Sequence, residues 1–124
     1  MSGEPVRRAA QLARAHAVFN IGGGLWPLVH MPSFEAVTGP KTDRWLVRTV
    51  AGLMVANGLV QWLAEPSVEG IASARRVGQG TAVTLAAIDI AYAIPGRISR
   101  IYLLDALLEV GWVAAWARTV RLSE

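Results

Sequence analysis

Polar side chains recur at helical spacing inside stretches that are otherwise apolar. His16 and Asn20 stand four apart, and so do Asn57 with Gln61 and Asp105 with Glu109, so each pair shares one face of a helix. Trp112 and Trp116 continue the Asp105–Glu109 stripe, and Tyr92 follows Asp89 by about a turn. A carboxyl in apolar surroundings holds its proton more tightly, and two such groups sharing a space repel when ionised. Such a cluster can carry a proton, bind a cation or act as a general acid. The candidate ligand- or ion-binding residues are therefore His16, Asn20, Asn57, Asp89, Asp105, Glu109 and Trp112. His16, Asp89, Asp105 and Glu109 are metal-type ligands, but no spacing among them specifies a site, and no metal is assigned. No motif specifies a cofactor. For the amides the plainer role is interhelical hydrogen bonding, worth about 0.6 kcal/mol each between apolar helices.

The elements that must position these residues are four apolar segments: 9–29, 45–64, 78–94 and 98–117. The 124-residue chain is 53% hydrophobic and 17% charged, against roughly 25% charged in an average soluble domain. Spanning helices need roughly 17–25 residues, and the segments are of that order. Met31-Pro32-Ser33 and Gly39-Pro40 bracket the first loop, in which 33–38 is expected to form one short interfacial helix. Glu65-Pro66 ends the second segment, and Pro95-Gly96 turns the chain between the third and fourth. In the third segment Val83, Leu85, Ile88, Ile90 and Ile94 point all round the helix, whereas an amphipathic helix of a soluble bundle keeps a broad polar face. Gly52 with Ala56, Gly111 with Ala115, and Gly78 with Ala82 and Ala86 have the small-xxx-small spacing of closely packed membrane helices. The fold expected is a single all-α domain over 1–124, a four-transmembrane-helix bundle.

With four crossings, Trp26 and Trp45 fall on one side and Trp62 and Trp116 on the other, as interfacial aromatic residues do. Arg7, Arg8, Arg75, Arg76, Arg118 and Arg121 share a side against Lys41, Arg44, Arg97 and Arg100, a bias that places both termini in the cytoplasm and the chain in the cell membrane as a multi-pass protein. Arg14 and Arg48, near segment ends, are expected to snorkel. The partners this implies are the lipid bilayer and a second copy or a larger membrane complex. A net charge of +3, dispersed in small groups, gives no footprint for nucleic acid. Arg7-Arg8 before an apolar stretch also has the form of a secretory signal, but Arg14, His16 and Asn20 interrupt the stretch and no small-residue cleavage site follows. With no cysteine, disulfides, thiolate metal sites and iron–sulfur clusters are excluded.

The loop stretch Ser33-Phe34-Glu35-Ala36-Val37-Thr38-Gly39-Pro40-Lys41-Thr42-Asp43-Arg44-Trp45-Leu46-Val47-Arg48-Thr49-Val50 resembles a segment of small uncharacterised bacterial four-helix membrane proteins. The overall plan is similar to the broad DoxX-like group. The resemblance implies a four-helix membrane bundle and brings no catalytic residue with it. From the residues themselves, Asp43 is placed to cap the second segment through its side-chain oxygen. Three functions fit the polar cluster: binding of a proton, cation or small amphiphilic ligand, acid–base catalysis by His16, Asp89 and Glu109, or a packing role in an accessory subunit.

Overall fold

The computed structural model describes residues 3–123, apart from the side chains of 120–123; the side chain of Arg121, one of the flanking bases, lies outside the described part. Five helices follow one another: α1 (Gly3–Val29), α2 (Met31–Thr38), α3 (Arg44–Trp62), α4 (Val68–Ala93) and α5 (Tyr102–Ser123). Glu4 in the first turn of α1 pairs with Arg7 and Arg8, and an acid suits the positive end of the helix dipole. Pro32 starts α2, whose first turn is capped by His30 accepting from the Ser33 amide. Gly39 ends it with φ 99°, a backbone that a side chain would strain. Ser67 caps α4 by accepting from the Gly70 amide at 3.0 Å, and Gly96 makes the following turn with φ 83°.

Among the described residues no helix is long and apolar enough to cross a membrane. This overturns the four-transmembrane-helix bundle and, with it, the multi-pass cell-membrane location, the cytoplasmic termini and the two interfacial pairs of tryptophans. The reason lies inside the helices. The helix expected over 78–94 begins ten residues earlier, at Val68, and takes in Glu69, Arg75, Arg76 and Gln79. The helix expected over 9–29 starts at Gly3 and carries Arg7, Arg8, Arg14 and His16. Arg44 and Arg48 sit in α3, and Asp105, Glu109 and Arg118 in α5. Arg7, Arg8, Arg44, Arg75, Arg76 and Arg118, read as flanks, are helical residues, and they add to the charges already inside the segments.

Two local expectations also change. Asp43 stands at the N-cap of α3, but its side chain makes no capping hydrogen bond. Arg44 pairs instead with Glu35 at 2.7 Å, and Glu35 also accepts from the Lys41 amide at 3.1 Å. One carboxylate thereby ties the α2–α3 loop, and its hydrogen bond to Arg44 holds its pKa below the usual carboxylate range. Gly52 and Gly111 face open space, so their small-xxx-small faces are not packing seams, whereas Gly78, Ala82 and Ala86 are buried.

α1 packs chiefly on α3, and α4 chiefly on α5. The first pair is close: a Cβ on Gly24 would collide with the Ala51 carbonyl oxygen, and one on Gly58 would lie 3.0 Å from that of Ala17. The interior is built from small and polar side chains. Ala9, Ala13, Ile71, Ala74 and Trp116 form the apolar cluster, while His16, Asn20, Gln61, Asp89 and Glu109 are buried beside such residues. Many of the large aliphatic side chains, including Val29, Leu53, Leu63 and Leu107, stand exposed.

Candidate functional site

His16 and Asn20, a turn apart on α1, meet Gln61 of α3 and Trp116 of α5. The Trp116 indole N–H donates to His16 Nδ1 at 2.9 Å, and Gln61 Nε2 also meets Nδ1 at 2.9 Å. Asn20 Nδ2 donates to Gln61 Oε1 at 2.8 Å. An indole nitrogen can only donate, which fixes every other direction. Nδ1 must accept, the imidazole must be neutral with its proton on Nε2, and Gln61 must present its amide nitrogen to the ring and its oxygen to Asn20. Burial lowers the His16 pKa to about 4, and two donors on Nδ1 oppose protonation in the same sense. The Trp112 indole stacks on the imidazole, ring centres 4.5 Å apart and 12° from parallel. Gly78 of α4 supplies the seat: a Cβ there would lie 2.5 Å from Gln61 Nε2 and 2.8 Å from both His16 Nδ1 and Trp116 Nε1.

The acids form a second group one level along α5. Asp89 of α4 and Glu109 of α5 are buried, at 4% and 0% exposure, with Asp105 as their acidic neighbour. Neither Asp89 Oδ2 nor either Glu109 oxygen has a hydrogen-bond partner. Burial first, and the neighbouring acids after it, push both Asp89 and Glu109 up to about 8. At neutral pH Asp89 and Glu109 therefore hold their protons. Asp105 is half-buried where the others are buried. The ion pairs among the described residues join Glu4 and Glu35 to arginines, and none reaches the trio.

Asp89 and Asp105 line a cleft of about 660 Å³. All five helices contribute to its wall. Phe19 and Trp26 come from α1, Phe34 from α2, Val50 and Met54 from α3, Leu85 from α4, and Tyr102 and Leu108 from α5. Lys41 also lines it. Its ammonium donates to the Thr38 carbonyl at 3.1 Å and sits 5.7 Å from the Phe34 ring centre and 5.1 Å from that of Tyr102.

Of the candidates read from the sequence, His16 and Asn20 join one network with Trp112 against it, and Asp89, Asp105 and Glu109 join another. Asn57 stands apart, its amide donating to Thr81 at 2.9 Å. Gln61 and Trp116 were missed as site residues, although both lie on the polar stripes. Trp116 is buried in the core, not at an interface. Arg14 covers the Trp62 ring at 5.4 Å. The cleft residues Lys41, Phe34 and Tyr102 had no signal in helical spacing, because a loop and a short helix bring them in. Among the described residues no group of three or more histidines and acids is placed to hold a metal ion.

The fold and site define an all-helical domain with an apolar cleft floored by carboxyls. Comparison with family models, with curated proteins and with solved structures finds no match to this chain.

Proposed function

We propose that this is a small helical binding protein whose cleft takes an amphiphilic molecule, with the apolar body along α1, α3 and α5 and the polar end against Asp89 and Asp105. The observation that carries the reading is the cleft itself: a mostly apolar space of about 660 Å³ with two carboxyl side chains, Asp89 and Asp105, in its lining. Ligand pockets have this composition, apolar walls with a few placed polar groups. A catalytic use of His16 has less support, since both donors already occupy its lone pair and it does not line the cleft.

Titration with 1-naphthalenemethanol, a neutral amphiphile, tests the reading. Saturable binding is expected, with a change in the emission of Trp26 in the wall. Val50→Trp, which fills the cleft from a position half-exposed on α3, should weaken that binding at least tenfold. Equal binding to wild type and Val50→Trp would place the probe elsewhere and sink the proposal.

A further inference from the structure

We propose that the cleft selects amphiphiles whose head is a single protonated amine, held by Asp105 and Asp89 at its inner wall. The inference rests on the cleft as the binding site and adds the charge of the ligand. Three observations carry it. Asp89 is buried and lines the cleft, yet its Oδ2 has no hydrogen-bond partner. A primary ammonium brings three donors in a compact head and would fill that vacancy while pairing with Asp105.

The second observation is charge balance. No cation of the described residues pairs with the three acids. A cationic head would supply the counter-charge these acids lack, and an anion would set its charge beside buried carboxyls. The third observation concerns Lys41, the one base in the cleft wall among the described residues. Its ammonium donates to the Thr38 carbonyl and lies over the faces of Phe34 and Tyr102, so part of its capacity is already taken up within the protein.

The test compares three probes with one ring system at pH 7: 1-naphthylmethylammonium, 1-naphthalenemethanol and 1-naphthoate, followed by fluorescence anisotropy. The ammonium should bind at least tenfold tighter than the alcohol, and the carboxylate weakest. Asp105→Asn should bring the ratio of ammonium to alcohol affinity down to about one. Asp89→Asn carries the same arm should Asp105→Asn lose its helical circular dichroism. Equal binding of ammonium and alcohol by the wild type overturns the charge selectivity and leaves the cleft reading standing. Tightest binding of naphthoate also overturns it and points to Lys41. Failure of all three probes to bind saturably overturns both.

Discussion

At Asp89, Glu109 and His16 the fold and the solvent compete for protons in opposite senses, and stability should record the contest. The two acids are raised from ordinary carboxyl values to about 8 in the folded protein, so between about 4 and 8 the native state holds more protons than the unfolded chain. Stability contributed by them is present at low pH and is lost as pH rises. His16 is lowered from 6.5 to about 4, so over that interval the native state holds fewer protons and stability rises with pH. The groups packed around these three are Asp105 and the neutral amides and indoles, with Lys41 at the cleft wall. Below pH 6.5 the histidine offsets one acid. Above it both acids act alone, with an upper limit of about 2.7 kcal/mol per pH unit for two protons. Urea unfolding at pH 6.5 and 8 should show wild type losing stability and Asp89→Asn/Glu109→Gln staying level and more stable at pH 8. Level stability in wild type would mean that the acids ionise freely. The residues in this contest were legible from spacing alone, since His16–Asn20 and Asp105–Glu109 announce shared faces. Their partners were less so. Spacing groups residues along one helix but does not say which neighbouring helix faces them, and that is why Asn57 was expected near the acids and lies against Thr81.

Among the helices, α4 is the element that decides the interior. Its buried face is Ile71, Ala74, Gly78, Ala82, Ala86, Asp89 and Ala93, small almost throughout, and the small side chains make room for the amides of α1 and α3 and the indoles of α5. Gly78→Ala should therefore be costly despite alanine's better helix propensity. Its Cβ would meet three polar atoms at 2.5–2.8 Å, and breaking their bonds leaves buried donors unpaired at about 1–3 kcal/mol each. Gly80→Ala, two residues on in the same helix but facing open space, should be neutral or stabilising by up to about 1 kcal/mol. Equal shifts in thermal midpoint for the two variants would deny Gly78 its role as the seat. The sequence showed the Gly78–Ala82–Ala86 run. It hid the first ten residues of α4, because Glu69, Arg75 and Arg76 read as a connecting loop when they are the outward face of a helix. The same misreading produced the membrane assignment, in which charges belonging to helices were set aside as flanks.

For the molecule as a whole, the distribution of apolar surface is lopsided. Alanine, glycine and polar groups fill the interior, and many of the large aliphatic side chains remain in view. Unfolding then exposes less new apolar surface than usual. A chain of 124 residues normally shows a heat-capacity change of about 1.5–1.9 kcal/mol/K, and calorimetry should find this protein clearly below that range. A value within it would mean that the aliphatic rows are buried in solution. The network that joins the first and last helices also has a consequence in time. Trp116 and His16 are 100 residues apart, and the entropy of closing so long a loop must be met before the contact returns anything. While the chain is being synthesised, His16 and Gln61 can find each other long before α5 exists, and the imidazole then has one donor where it will later have two. Until the indole arrives either tautomer can persist at that ring, so it is α5 that commits the proton to Nε2 and ends the search among alternative pairings.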